Sequence, residues 1–314
     1  MSNSIVQGSR VAPWIGIGVS GQWKSSAEAL EASKLDFDVR QERLFWRREE
    51  YYDGTTLVYD EPAPMFANVR NTDDELLGCV TPQYRIIQNK DAFSLLDPFL
   101  GNGTITHAGM TADGLCFMVA EVGLETIGGE DYIINLMATN SFNTKYPCQI
   151  IMTPIRIICQ NMYRKLVHDR VFLAKHTLTA DERLRMIANG NMVEKRVLAF
   201  SSIIDQAQSR HLSMSKLEIL VAMMFPYPKE RSKRELAYKV RKDEERKQFI
   251  DRYFDAPDNR PHQGSAFGFV NAYFDYLSHG DARQNTSTPW VDRRFSGIVS
   301  GNNIDRQLLK EAMK

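Results

Sequence analysis

The chain has 314 residues, of which 39 are lysine or arginine and 39 are aspartate or glutamate, so its formal net charge is zero. With 43% hydrophobic and 25% charged residues, the composition is typical of a globular protein and excludes a chain that is disordered throughout. Because the total charge favours neither a polyanion nor a polycation as partner, only the distribution of charge along the chain can indicate one.

The first segment, residues 1–24, shows no sustained periodicity, and we expect an N-terminal arm whose Trp14 and Trp23 dock on the rest of the protein. It lacks the basic start and apolar run of a secretion signal. Nowhere does the chain contain the ~20 consecutive apolar residues that a transmembrane helix needs. We therefore expect a cytoplasmic protein of a bacterial cell with no membrane partner.

Residues 25–177 are predicted to form an α+β core that begins with a short helix. Ser25 and Glu28 have the spacing of a capping box, which predicts a helix ending near Lys34. The Asp53-Gly54 pair lies between aromatic and β-branched runs and predicts a two-stranded hairpin. Further strands are expected at 65–69, 76–80 and 84–87, followed by a helix from Asn89 to about residue 100.

A second round of strands and a helix follows in the same order. The strand-like runs are "GTITHAG", "LCFMVAEVG", "YIINLMATN" and "PCQIIMTPIRIICQN", and the last continues into a predicted helix, "MYRKLVHDR". Two β-then-helix units predict an antiparallel β-meander core. Residues 178–314 are expected to be mainly helical, with helices that include 213–225, "AFGFVNAYFDYLSH" and "NNIDRQLLKEAM".

The stretch "MTPIRIICQNMYRK", residues 152–165, combines an apolar strand with polar residues. Pro154 is expected to end the strand or make it bulge. Arg156 would then pack its stem at the strand end and keep its guanidinium available. Gln160 and Asn161 follow where a helix begins, and Arg164 and Lys165 lie one turn later. Either Asn161 caps the helix and Arg156 pairs with a carboxylate, or these residues form a positive rim for phosphate or bases.

Cations and aromatic rings also alternate elsewhere in the first half of the chain. Interleaved cations and rings suit single-stranded nucleic acid, because cations follow the backbone while rings stack on bases. The alternative is that the arginines face water on a two-sided strand. The candidate nucleic-acid-binding residues are Trp46, Arg47, Tyr84, Arg85, Lys145, Arg156, Gln160, Asn161, Arg164 and Lys165.

Motifs for several other chemistries are missing from the sequence. The six histidines have no i, i+4 pairs and no zinc-finger spacing with the cysteines, so we expect no metal site and no cofactor. There is no phosphate-binding G-x-x-x-x-G-K-[ST] loop and no G-x-S-x-G elbow. Acidic pairs such as Asp73 and Asp74 are typical of solvated surfaces, and they leave a metal-dependent nuclease as a distant alternative.

The segment "TNSFNTKYPCQIIMTPIRIICQN" resembles the hallmark of the phage/plasmid-like protein family, a bacterial and mobile-element domain of unknown function. Other matching pieces are Trp14 near "GIG", "TPQYRIIQN", "GMTADGLCFMVAEV", "FVNAYFDYLSH" and "RRFSGIVSGNNIDRQLLKEA", so the resemblance covers nearly the whole chain. Where relatives commonly have a small Asp-Gly loop, this chain has "FNTK". The resemblance implies a setting in phages, plasmids and integrated elements.

Three functions are compatible with the sequence. The first is a non-enzymatic, homo-oligomeric protein that binds single-stranded DNA and anneals it in recombination or replication, by architectural analogy with single-strand annealing proteins. The second is an interaction protein that inhibits or redirects a host defence or replication component. The third is a metal-dependent nuclease.

Overall fold

Two antiparallel sheets and a set of mostly C-terminal helices make up the fold in the computed structural model, which describes residues 14–157, 170–177, 179–180, 184, 191–227, 233–279 and 303–314. The α+β class predicted from the sequence is confirmed. The predicted helix "MYRKLVHDR" up to residue 169, most of the segment 178–190 and residues 280–302 lie outside the described residues.

The larger sheet has six strands in the order β1-β5-β6-β7-β8-β9. All neighbouring pairs that the structure describes in it are antiparallel, and β5 to β8 follow one another as the predicted meander. The strand bounds are Val19–Trp23 (β1), Thr104–Met110 (β5), Cys116–Ile127 (β6), Glu130–Asn140 (β7), Cys148–Arg156 (β8) and Arg170–Ala174 (β9).

The smaller sheet has three strands, Val39–Tyr52 (β2), Thr55–Arg70 (β3) and Leu76–Val80 (β4), in the order β2-β3-β4. The predicted turn between β2 and β3 is confirmed, because Asp53 and Gly54 both have positive φ, 50° and 79°. Pairing of β3 with β4 reaches only from Phe66 to Val69. Residues 44–65 therefore extend as a two-stranded ribbon, here called the β-ribbon.

The helices follow the predicted order, although the one after β4 is broken. Ser25 caps α1 by accepting a hydrogen bond from the Glu28 N–H at 3.3 Å, and Ser213 caps α5 through the Lys216 N–H at 3.3 Å. The predicted helix from Asn89 is interrupted by a 3-10 turn before Pro98. The helix bounds are Ser26–Ser33 (α1), Asn89–Phe93 (α2), Asp97–Leu100 (α3), Asn191–Ser209 (α4), Met214–Met224 (α5), Lys233–Asp255 (α6), Ala266–His279 (α7) and Asn303–Ala312 (α8).

Two local predictions of secondary structure are wrong. Residues 84–87 form no strand and run as an irregular segment from β4 to α2. Strand β8 continues through Pro154, where the sequence predicted an end or bulge. Pro154 pairs with Ile134 of β7, but the described pairing with β9 stops at Ile151, so no second neighbour needs the N–H that proline lacks.

One large buried cluster joins the six-stranded sheet to the helices. It contains sheet residues such as Ile134 and Met152 together with helical residues such as Phe200, Leu220 and Phe267. Trp14 is buried on the sheet near His107, as expected for the docked end of the N-terminal arm. Within the described part of the chain, none of the helices combines the length and apolarity that a membrane crossing requires.

Candidate functional site

Three segments that carry the family resemblance meet at one end of the six-stranded sheet. They are residues 81–89 after β4, the turn 111–115 between β5 and β6, and the connection 141–147 between β7 and β8. Asn143 Nδ2 donates to the Asp113 carbonyl at 2.8 Å, and the Tyr146 hydroxyl donates to the Asp113 carboxylate. Side chains from distant parts of the sequence therefore fix the position of each segment.

The connection between β7 and β8 is closed by its own polar groups. Ser141 Oγ donates to the Tyr146 carbonyl at 2.7 Å and accepts from the Tyr146 N–H at 3.2 Å. The Lys145 N–H donates to Asn143 Oδ1 at 3.2 Å, and Thr144 adopts a positive φ of 65°. This compact loop keeps Lys145 exposed at its outer side.

Buried amide side chains replace strand pairing for the irregular segment 81–89. Asn140 Nδ2 donates to the Ile87 carbonyl at 2.9 Å and to Asn89 Oδ1 at 3.1 Å. Asn89 Nδ2 donates in turn to the Leu35 carbonyl at 3.0 Å. The Tyr84 hydroxyl donates to the Ser141 carbonyl at 2.8 Å. Because buried backbone groups need partners, these side-chain hydrogen bonds allow the segment 81–89 to run without strand pairing.

An open cavity of about 440 Å³, here called the cleft, lies where segments 81–89 and 141–147 face the end of β9. Tyr84 and His176 stack beside it with ring centroids 4.7 Å apart and an interplanar angle of 8°. Its lining residues are mostly polar or aromatic: Thr81, Gln83, Tyr84, Thr144, Tyr146, Pro147, Leu173, Lys175, His176 and Thr177.

His176 is the buried titratable group of the cleft. Burial lowers its pKa to about 4, opposed by the contact of Nδ1 with the Arg85 carbonyl at 3.1 Å. Its Nε2 is buried and has no hydrogen-bond partner among the described residues. In the neutral imidazole Nδ1 donates to the Arg85 carbonyl, so Nε2 can act only as a hydrogen-bond acceptor.

The cleft segments carry three exposed cations, Arg85, Lys145 and Lys175. Among the described residues, no carboxylate forms an ion pair with any of them, and Lys145 Nζ contacts only the Asp113 carbonyl, at 3.5 Å. Cations elsewhere are often paired, as on α6, where Lys242 Nζ lies 2.6 Å from Glu245. The segments that form the cleft therefore carry three cations without ion pairs among the described residues in a protein with no net charge. Of the three, Lys175 lines the cavity itself.

The expectation that Arg156 offers its guanidinium to phosphate is wrong. Its side chain is 1% exposed, and Nη2 lies 2.5 Å from Glu130 Oε1 while Nη1 lies 3.5 Å from Asp258 Oδ2. His262 contacts the same Glu130 oxygen at 3.0 Å, and the guanidinium lies 5.9 Å from the Phe267 ring centre. Two carboxylates around one buried cation leave no positive surface there.

Arg156 is also far from the cleft. Pro147 lines the cleft immediately before β8, whereas Arg156 ends that strand, which places them about 30 Å apart along the sheet. Burial lowers the pKa of His262 despite its hydrogen bond to Glu130. A neutral histidine leaves this cluster with two negative charges and one positive charge, an arrangement that ties the sheet to the segment before α7.

The remaining predicted residues divide among three places. Tyr84, Arg85 and Lys145 belong to the cleft segments, although Tyr84 is buried against His176 and is not a free stacking surface. Trp46 and Arg47 are exposed on the β-ribbon, where Arg47 Nε lies 3.7 Å from Asp60. The predictions for Gln160, Asn161, Arg164 and Lys165 lie outside the described residues.

Sequence reasoning missed Lys175 and His176. Both follow the apolar strand β9 in "VFLAKHT", the same pattern of a cation and a ring after a strand that identified Tyr84 and Arg85. In the part of the chain that the structure describes, no three histidine, cysteine or acidic side chains cluster as metal ligands would. The geometry of the cleft is suited to binding by hydrogen bonds and positive charge.

The fold is α+β with a β-meander core, and it has a polar cleft at one end of the six-stranded sheet. The model of the family described as Domain of unknown function (DUF932) matches residues 76–296, well over half of the chain. The protein belongs to this family. No curated protein and no solved structure matches the chain.

Proposed function

We propose that this protein binds single-stranded DNA at the cleft and anneals strands in the recombination or replication of a phage or plasmid. The observation that supports this proposal best is a set of three exposed cations without ion pairs among the described residues, Arg85, Lys145 and Lys175, on the segments that form one cavity, which Lys175 lines. Cations that are not neutralised by carboxylates can replace the counterions of a phosphate backbone. Annealing requires two strands to be held together, so the proposal includes a homo-oligomer acting in the bacterial cytoplasm.

The dimensions and polarity of the cleft fit part of a nucleotide strand. A cavity of about 440 Å³ lies within the usual range for small-ligand sites and is large enough for one base. His176 Nε2 and the hydroxyls of Thr81, Thr144 and Thr177 provide hydrogen-bonding positions. Lys145 and Lys175 lie on two of the segments that form the cleft, and the proposal has them contact phosphates while a base enters the cavity.

The proposal is tested by filter binding of a labelled single-stranded oligonucleotide at several salt concentrations. Replacing both Lys145 and Lys175 by alanine removes two phosphate contacts. We expect the affinity at low salt to fall about tenfold and the plot of log affinity against log salt to become shallower by about 1.4. The reason is that each lost contact on a single strand no longer releases its counterion.

The matched control replaces Lys90 and Lys314, which are exposed and paired with Asp38 and Glu311, by alanine. This double variant has the same net charge as the cleft variant, and we expect it to bind nearly as well as the wild type. Equal losses in both double variants would remove the cleft from the proposal. If the wild type retains no oligonucleotide even at low salt, the proposed function itself is wrong.

The two alternative functions predict different results in the same preparation. A metal-dependent nuclease would shorten the oligonucleotide when magnesium or manganese is added, whereas a binding protein leaves it intact. An interaction protein aimed at a host component would retain no oligonucleotide, but it would capture one host protein from nuclease-treated lysate at high salt.

A further inference from the structure

The β-ribbon is a long surface that the other described residues leave uncovered. No residue from 41 to 65 is buried, and Tyr51 and Tyr52 near its tip are 77% and 74% exposed. Phe45, Trp46, Leu57 and Val58 add further exposed apolar area on both faces. An isolated two-stranded ribbon is at best marginally stable in water, so we expect a partner to cover this segment.

The free edge of β2 is the part of the ribbon that is open to a further strand. β2 is an edge strand of the three-stranded sheet, and no proline occurs between Val39 and Tyr52. In contrast, β3 carries Pro62 and Pro64 where it extends beyond β4. Prolines disfavour the addition of a further strand because they remove N–H donors from the sheet edge. Strand addition is therefore open on the β2 side.

The order of residues 45–52, "FWRREEYY", indicates which strand fits there. The segment has two aromatic residues, two arginines, two glutamates and two aromatic residues. When such a strand runs antiparallel to a copy of itself, one face can place arginine opposite glutamate and an aromatic residue opposite an aromatic residue. Nucleic acid is a poorer partner, because the acidic residues from 43 to 61 outnumber the arginines.

Two-fold symmetry fixes how two copies can pair. Rotation about an axis perpendicular to the sheet keeps every side chain on its own face, so opposite residues must both be even-numbered or both odd-numbered. One allowed register places Arg48 opposite Glu50 of the second copy and Trp46 opposite its Tyr52. The neighbouring register places Arg47 opposite Glu49 and Phe45 opposite Tyr51. Each register gives two arginine–glutamate pairs and two aromatic pairs, which outweigh the single like-charge pair on the axis, Glu49 with Glu49 in the first register and Arg48 with Arg48 in the second.

We propose that β2 of one molecule pairs antiparallel with β2 of a second copy, which joins the two three-stranded sheets into one six-stranded sheet across a two-fold axis. The pairing satisfies the open backbone groups along residues 45–52 and covers aromatic side chains on both faces. It names the surface for the self-association that the proposed function includes, but it does not depend on nucleic acid being the ligand.

The test uses two charge variants whose expected effects are the same in either register. Arg47→Glu with Arg48→Glu makes the segment acidic, and Glu49→Arg with Glu50→Arg makes it basic. Each variant alone places like charges opposite each other, and we expect its dimer dissociation constant to rise tenfold or more above the wild type. An equimolar mixture of the two restores opposite charges, so we expect it to form heterodimers.

Sedimentation velocity and native mass spectrometry, both without nucleic acid, measure these outcomes. Recovery of a dimer in the mixture excludes misfolding as the reason why each variant alone is monomeric. A wild type that is monomeric at all concentrations, variants that dimerise as well as the wild type, or a mixture that stays monomeric would each overturn the inference. Oligonucleotide binding is measured separately, so a monomer that still binds DNA refutes only the dimer.

Discussion

Arg156 holds two acidic side chains at a site that water barely reaches. When the cation of a buried ion pair is removed, the remaining carboxylates lose their partner, which typically costs 3–5 kcal/mol. We expect Arg156→Met to lower the free energy of unfolding by about 3 kcal/mol, because Glu130 and Asp258 remain charged and largely buried. Urea denaturation measures this loss, and filter binding should show unchanged oligonucleotide affinity for the folded variant.

The matched control for Arg156→Met is Lys90→Met, which breaks an exposed ion pair with Asp38. Exposed pairs contribute at most about 1 kcal/mol, so this variant should unfold nearly as the wild type does. The result that would contradict a purely structural role is a stable Arg156→Met protein that no longer binds the oligonucleotide.

His176 should make the stability of the protein depend on pH in a defined window. Its pKa falls from the ordinary value of 6.5 to about 4 because burial disfavours the charged ring. Between pH 6.5 and 4 the unfolded chain binds a proton that the folded protein does not, so stability decreases as the pH falls. The loss reaches about 3 kcal/mol near pH 4 and is absent above pH 6.5.

His176→Phe preserves the stack on Tyr84 but removes this titration. We expect urea denaturation at a series of pH values to show a smaller loss of stability for this variant than for the wild type between pH 6.5 and 4. His211→Phe replaces an exposed histidine and should follow the wild type through the same range. Parallel curves for wild type and His176→Phe would show that His176 does not titrate as its burial indicates.

Elements defined by neighbouring residues could be predicted from the sequence, whereas contacts between distant segments could not. The Ser25 cap, the helix predicted over 213–225 and the Asp53-Gly54 turn depend on nearby residues, and all three are present in the structure. In contrast, the segment 81–89 is held by Asn140, and Arg156 is enclosed by Asp258, 102 residues away. No local pattern identifies such partners.

The cleft was predictable only in part, because local patterns identify single residues but not contacts between distant segments. The sequence identified Tyr84 and Arg85 on a predicted strand and Lys145 before the strand that leads to Arg156, but it could not show that a long β8 separates Lys145 from Arg156. The strand continues through Pro154 because the described pairing of β8 with β9 stops earlier, at Ile151, so the N–H that proline lacks is not needed there. This arrangement depends on strands that are far apart in sequence.

At the scale of the whole molecule, the buried cluster crosses the boundary that composition indicates at residues 177 and 178. Ile134 and Met152 of the sheet belong to the same cluster as Phe200, Leu220 and Phe267 of the helices. Arg156 adds a polar link between β8 and Asp258, in the segment that precedes α7. Shared burial of this kind predicts that the sheet and the helices stabilise each other.

We therefore expect one cooperative unfolding transition for residues on both sides of this boundary. In a Trp290→Phe variant, tryptophan fluorescence reports on Trp14, Trp23 and Trp46, all before residue 178, while far-ultraviolet circular dichroism reports mainly on the helices. Coincident urea transitions by the two probes are the expected result. A chain truncated after Thr177 should fail to fold, because the apolar sheet face that packs on the helices would be exposed to water. Two separate transitions, or a soluble truncated chain that unfolds cooperatively, would instead establish residues 25–177 as an independent domain.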